Sequence, residues 1–521
     1  MSLNGVLGTA PSGSDSAAIA HRRRWMILAV ACTSLLLCGI DLTVLHVSVP
    51  EMTRHVHPSG VQLLWIVDVY SLTVAALLVT CGTLGDRVGR RRLLLGGFAL
   101  FGVASATAAF STTAVELILA RALLGVGAAM IMASTVAIIR VVFSDDRERT
   151  LAIGIWTAAH SVGATVGPLL GGALVERWWW GAVFLVNVPI VVVILIVGAL
   201  ILPESRDPTP RRWDLSSVAL SVAGLAGVVY ALKQVGEHLR VGVGVAVIGA
   251  AGVALLTTFV VRQRRLAQPL LDLSLLADRR VAAATICVIS CFGGYTAMLF
   301  FFTQWLQWVG GYSPLRAGLA LMPLAGSNAV GAVLAPWAAR RVGARWAVSG
   351  ALALFAAALA TLALLAGSGP AAYGVIVVTM VAAGTGAGVI MTLGADLITA
   401  AADPRRAGEA AAIQETSFEL GAGLGVAVLG TVLAATYRTV LPSVAGLSTG
   451  EQRTARESIG AAVEVAGRLD APTGQVLRRA ARDAYGQGFT TVAAIAAVIL
   501  GLTAFLAVAL LRPATRVGAG R

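Results

Sequence analysis

Fourteen stretches of mostly apolar residues, each near the length a helix needs to cross a bilayer, follow one another along this 521-residue chain. They lie near 25–48, 61–83, 93–112, 115–140, 150–174, 182–202, 215–234, 241–261, 281–308, 315–338, 347–367, 371–399, 409–436 and 489–511. About twenty such residues in helical form span the hydrocarbon, where a backbone must satisfy its own polar groups. An all-α polytopic membrane protein with 14 transmembrane helices is therefore expected. The composition agrees: 57% of residues are hydrophobic and 12% charged, about half the charged share of an ordinary soluble domain. A net charge of +13 does not signal nucleic acid, because the arginines sit in short clusters between apolar runs. Cys32, Cys38, Cys81, Cys287 and Cys291 all lie inside such runs, which predicts neither disulfides nor a metal site.

Arginine placement chooses sides. Connections on the side of the N-terminus hold Arg22–Arg24, Arg87, Arg90–Arg92, Arg140, Arg147, Arg149, Arg206, Arg211, Arg212, Arg262, Arg264 and Arg265. They continue with Arg279, Arg280, Arg340, Arg341, Arg345, Arg405, Arg406, Arg512, Arg516 and Arg521, whereas short connections opposite hold only Arg54, Arg177, Arg240 and Arg316. By the positive-inside rule both termini are cytoplasmic. Residues 1–24 form an N-terminal tail, Ser/Gly/Ala-rich and expected to be disordered, and the apolar run behind it reads as an anchor that stays. Residues 512–521 form a cytoplasmic tail. The long loop 437–488 lies outside, with mixed charges at helical spacing between Gly450 and Arg482 that suggest amphipathic helices over the outer mouth.

The chain repeats itself. Arg87-Val-Gly-x-Arg91 returns at Arg341-Val-Gly-x-Arg345, and Gly163 and Gly167 return at Gly421 and Gly425. The two echoes pair span two with ten and span five with thirteen. That shift of eight predicts two six-helix bundles, 25–202 and 281–511, with a two-helix insert at 215–261. Parallel halves of this kind hold substrate between them near mid-membrane.

Several motifs now stand together. Gly82-x-Leu-x-Asp86-Arg87-x-Gly89-Arg90-Arg91 resembles the signature loop of the major facilitator superfamily. Leu119-Ala-Arg121-Ala-Leu-Leu-Gly125-Val-Gly127 resembles its fourth-span motif, with Leu124 where glutamine is common. Gly163-Ala-Thr-Val-Gly167-Pro168-Leu-Leu-Gly171-Gly172 resembles the motif of its antiporters. Ile40-Asp41-Leu-Thr43-Val44-x-His46-Val-x-Val-Pro50 is similar to the first span of its fourteen-helix drug:proton antiporters, which usually have asparagine at His46. Trp65-Ile-Val-Asp68-Val-Tyr70-Ser71 and Trp179-Trp180-Gly-Ala-Val-Phe184-Leu-Val-Asn187-Val-Pro189 are most like exporters of quaternary ammonium compounds. The resemblance implies the superfamily's fold, transport without an enzymatic site or cofactor, and the proton motive force as energy source. It also implies a bacterial inner-membrane monomer whose partners are protons, lipid and small molecules.

Carboxylates inside spans carry the chemistry, because an intramembrane charge is costly unless it works or is paired. Asp41, Asp68, Glu415 and Glu419 sit well inside apolar runs, while Asp396 nears the end of its span. Glu415 and Glu419 share one helix face, and two carboxyls so close resist ionising together, so that one can exchange a proton for an arriving cation. Arg121, also inside a span, needs a carboxylate partner or a wet cavity, as a structural ion pair or a proton relay. The loop Gly82, Asp86, Arg87, Gly89 and Arg90 is a candidate latch. The stripe Gly163, Gly167 and Gly171, with Pro168 and Gly172, allows close packing and bending. Trp156, Tyr295, Phe300–Phe302 and Trp305 offer rings to a cation or to packing, and Trp178–Trp180, Trp213 and Trp346 an interfacial belt. Four buried acids against one buried arginine favour proton-coupled export of lipophilic cations. Ser327 and Asn328 stand where some relatives carry a further acid. The alternative is a dedicated exporter of a neutral or anionic natural product. Six histidines without metal spacing and no phosphate-binding loop argue against an enzyme or ATP-driven pump.

Overall fold

With no water to satisfy it, backbone that crosses hydrocarbon folds as helix. A computed structural model describes residues 23–206, 214–238, 242–266, 269–270, 273–366, 373–400 and 407–511, and among these fourteen helices are long and apolar enough to span a membrane. The head up to residue 22, Arg22, Arg211, Arg212, Trp213, Arg240, Arg405, Arg406 and the tail 512–521 lie outside the described residues.

In the first half, α1 is Arg24–Val56, α2 Gly60–Val88, α3 Arg90–Ala109, α4 Ala114–Val142, α5 Asp146–Arg177 and α6 Ala182–Ile201. The insert is α7 Leu215–His238 and α8 Val243–Arg265. In the second half, α9 is Arg279–Val309, α10 Pro314–Val342, α11 Ala344–Ala366, α12 Tyr373–Ala400 and α13 Ala407–Val440. Two short helices follow, α14 Thr449–Ala455 and α15 Ile459–Arg468, and then the last span, α16 Ala471–Leu510.

The expected repeat is visible in the packing. Helix α1 packs on α5, α2 on α4, and α3 on α4 and α6; eight spans later α9 packs on α13, α10 on α12, and α11 on α12 and α16. The two echoed loops turn alike, since Gly89 and Gly343 both adopt positive φ, 110° and 83°, the region glycine enters without a Cβ clash. The glycine stripes also seat the same way. A Cβ on Gly163 would stand 2.2 Å from the Leu36 carbonyl oxygen and one on Gly167 2.0 Å from Thr43 Oγ1; in the second half a Cβ on Gly425 would meet Gly293 at 2.4 Å. The halves meet where α2 lies on α13 and α5 on α10. Helix α7 straddles the first of these seams, touching both α2 and α13, while α8 rests on α7.

One boundary differs from expectation. Residues 471–488, assigned from sequence to the long loop, are the first turns of α16, whose 40 residues run about 60 Å against ~30 Å of hydrocarbon. The remaining loop holds the two short helices. Ser448 and Glu451 close a capping box at the start of α14, and the Ser448 hydroxyl holds the Glu451 carboxyl below its ordinary range. Helix α15 then covers the end of α1: a Cβ on Gly460 would stand 2.5 Å from Thr53 Cγ2, and His57 Nδ1 meets Glu464 Oε2 at 2.7 Å. Under it lies a cavity of about 50 Å³ that both halves line, through Leu64, Phe300, Tyr437 and Gly460 among others.

Candidate functional site

Three polar groups stand inside the first half and along its seam. Asp41 and Arg121 are both 0% exposed, and Arg121 Nη1 donates to Asp41 Oδ2 at 2.6 Å. Arg121 Nε donates to the Ile66 carbonyl at 3.2 Å, and its guanidinium lies 4.7 Å from the Tyr70 ring centre and 5.9 Å from that of Phe184. Asn187 Nδ2 completes the cluster, 3.2 Å from both Asp41 Oδ1 and Ser105 Oγ. Five helices, α1, α2, α3, α4 and α6, thus converge on one ion pair. The partner that Arg121 requires is Asp41.

Asp68 is paired as well. Lys233 Nζ, from the insert helix α7, lies 2.8 Å from Asp68 Oδ1 and 3.7 Å from the centre of the Trp65 ring. This partner was not foreseen from sequence: a lone lysine in an apolar run points to no particular acid on another helix. The expected balance of four buried acids against one buried arginine becomes two acid–base pairs plus two acids. The remaining two are Glu415 and Glu419 on α13, and no cation pairs with either among the described residues. Glu419 is 4% exposed, faces Ser71, Tyr70 and Arg121 across the seam, and keeps Oε2 without a hydrogen-bond partner. Glu415 lies one turn away, half-buried.

The other candidates separate. Asp396 is exposed near the end of α12 that faces the chain termini. Ser327 and Asn328 turn toward α12: Ser327 Oγ donates to the Leu324 carbonyl of its own helix and reaches the Met380 carbonyl of α12 at 3.5 Å, and Asn328 Nδ2 lies 3.7 Å from Met391 Sδ. His46 is 1% exposed, with neither ring nitrogen hydrogen-bonded, and packs 5.5 Å from the Phe300 ring, so it does not stand in for an asparagine donor. Trp156 is buried, Phe302 stacks on Trp305, and Tyr295 is 8% exposed, while Trp178 and Trp346 are exposed at span ends.

In the loop around Gly82 and Arg87, Asp86 Oδ1 accepts from Arg90 Nη2 at 2.8 Å and from Nε at 3.2 Å across the Gly89 turn. Arg90 also reaches the Ala137 carbonyl of α4 at 3.4 Å, so the loop is tied to its own half. On the opposite face the halves are joined directly. Ser313 Oγ and the Leu315 amide donate to Glu176 Oε2 at 3.0 and 3.1 Å, a Cβ on Gly172 would stand 2.6 Å from the Pro314 carbonyl oxygen, and one on Gly318 2.5 Å from that of Pro168. The antiporter-like motif therefore has two faces. Gly163, Gly167 and Gly171 seat α1, whereas Pro168 and Gly172 seat α10 of the other half. Glu176 carries no sequence motif and escapes notice for that reason.

Comparison with known proteins adds three findings. Residues 31–426 match the family described as the Major Facilitator Superfamily. The multidrug efflux pump LfrA of Mycolicibacterium smegmatis is 40% identical over 95% of this chain and 97% of its own. Methyl viologen resistance protein SmvA of Salmonella typhimurium is 35% identical over 89% and 93%, and the tetracenomycin C resistance and export protein of Streptomyces glaucescens 31% over 81% and 78%. A crystal structure of a bacterial homologue of the human lysosomal transporter Spinster, inward-facing and unoccupied, shares the fold at a TM-score of 0.65, with 18% identity over 93% of this chain and 97% of that one.

Proposed function

The chain belongs to the major facilitator superfamily, and on that premise we propose that it exports lipophilic cations in exchange for protons. It is a multi-pass membrane transporter of the drug-efflux type and not an enzyme. The observation that carries the finer reading is Glu419: a carboxyl buried at the seam between the halves, with one oxygen unpartnered and, among the described residues, no cation paired to it. A neutral, protonated Glu419 suits that burial; an arriving cation offers a partner that lets the proton leave. One site then holds either a proton or a cation, and Glu415 one turn away makes double ionisation costly. The Asp41–Arg121 pair faces this acid across the seam, where it can relay the change between halves, while Asp68 beside them is held by Lys233. Asp396, exposed near a mouth, has the weakest claim.

Alternating access requires the contacts at the seams to form on one face while they part on the other. In this reading the bundles 25–202 and 281–511 rock. The Gly82–Arg90 loop stiffens the cytoplasmic face, Pro168 and Gly172 with Glu176 make the outer contact, and Gly171 seats α1 beside them. Arginine placement assigns the face bearing both termini to the cytoplasm of a bacterial inner membrane. The chain acts as a monomer and needs no cofactor, with the proton motive force as energy source.

The test is efflux of preloaded ethidium from cells making this chain, with and without a protonophore. Wild type should expel ethidium only while the gradient stands, and Glu419→Gln should abolish export at undiminished membrane abundance; gradient-independent efflux, or normal efflux by the variant, refutes the coupling. The relative that exports tetracenomycin C favours a second reading, a dedicated exporter of a neutral or anionic natural product. Absence of ethidium efflux from correctly inserted wild type, with export of such a compound, would select it.

A further inference from the structure

Lys233 is the single lysine in the chain, and it is 1% exposed. Its ammonium sits where two features of α2 converge. Trp65 and Asp68, three residues apart on one helix face, present a ring face at 3.7 Å and a carboxylate oxygen at 2.8 Å. A ring face beside an anion is the environment that recognises alkylammonium groups. Asp68 and Lys233 side chains have no exposed surface, and Asp68 Oδ2 remains without a partner. The carrier of the ammonium is the insert: α7 touches both sides of the seam, with Val229 packed among Leu72 of α2 and Ala427 of α13. One turn along α2 from Asp68, Ser71 meets Glu419.

We propose that Lys233 is a specificity-determining residue: it fills the cation site formed by Trp65 and Asp68, leaving the transport path one cation site, shared by Glu419 and its neighbour Glu415 one turn away on α13, instead of two. This rests on the cation:proton exchange proposed above and names a constraint on its substrates. A compound with two separated cationic centres needs two negative partners, and the second is already taken by a tethered ammonium. A compound with one centre is unaffected.

The test compares export of ethidium, one permanent charge, with that of methyl viologen, two, in cells making the full chain. Lys233→Met should raise the methyl viologen to ethidium export ratio about ten-fold, the size expected when one close charge pair becomes available. Lys233→Arg should leave the ratio near wild type, and adding Asp68→Asn to Lys233→Met should abolish the gain. An unchanged ratio in Lys233→Met at wild-type membrane abundance overturns the inference while leaving the exchange reading intact. Export of neither dye by wild type overturns both.

Because Lys233→Met strands a buried carboxylate and can impair folding, a second measurement uses Asp68→Asn and wild type. A membrane-permeant amine acylating reagent, followed by peptide mapping, reads Lys233 without background from other lysines. Wild type should be protected and Asp68→Asn labelled at least about ten-fold faster, as loss of an ion pair worth a factor of ten would allow. Equal labelling would show that Asp68 does not hold the ammonium, and the inference falls.

Discussion

A guanidinium with no exposed surface survives inside a bilayer-spanning bundle only if its donors find acceptors, and Arg121 shows how many helices that takes. Removing one partner of such a pair leaves the other charge buried and uncompensated. Arg121→Met should therefore cost about 3–5 kcal/mol of stability, read as a large fall in Tm in detergent. Arg121→Met with Asp41→Leu should regain most of it, since apolar groups of similar size replace buried pairs at little cost, yet it should not export against a proton gradient. Recovery of neither stability nor fold by the double variant would mean that Asn187 and Ser105 are the ones left stranded. At this scale the sequence is half legible. That Arg121 needs an anion or a wet cavity follows from its depth alone, whereas the choice of Asp41, the lysine on Asp68 and the bond from Glu176 all depend on which helices lie side by side. Spacing along one helix cannot reveal contacts between residues on different helices.

Between helices the close approaches are made by glycine. Within α5, Gly167 and Gly154 make a matched experiment. A side chain at Gly167 would strike Thr43, whereas nothing lies within 4 Å of a Cβ at Gly154. Gly167→Val should prevent α1 and α5 from closing and leave little protein that survives extraction as a monodisperse species. Gly154→Ala should be neutral or stabilise by up to about 1 kcal/mol through helix propensity. Equal behaviour of the two in a size-exclusion assay would reduce the stripe to composition. Spans and repeat were legible at this scale because length, hydropathy and the glycines that permit close packing are all written in the chain. The start of α16 was not, because residues 471–488 stand clear of the apolar run. Their arginines and polar residues place them in the outer loop, as amphipathic helix up to Arg482 and not as the start of a span, and Pro472 falls in the first turn, where a helix tolerates it.

For the molecule as a whole, the mouth under α15 is where the proposed rocking would act. A Cβ placed on Gly460 would lie 3.5 Å from Thr53 Cβ, inside the range a disulfide bridges. Thr53→Cys with Gly460→Cys should cross-link on oxidation, arrest ethidium export, and recover with reductant; undiminished export by the cross-linked protein would show that this cap stays in place throughout the cycle. The insert has a different standing. Among the described residues the insert packs on the bundles chiefly through α7, and the hairpin closes on itself through Gly224, Gly227 and Gly252, where a Cβ on Gly252 would stand 2.8 Å from the Val228 nitrogen. A hairpin packed in this way can be removed without redrawing either bundle, save for one debt. A descendant that discarded it would keep Asp68 in hydrocarbon without its ammonium, so the lysine and the aspartate should be inherited, and forfeited, together.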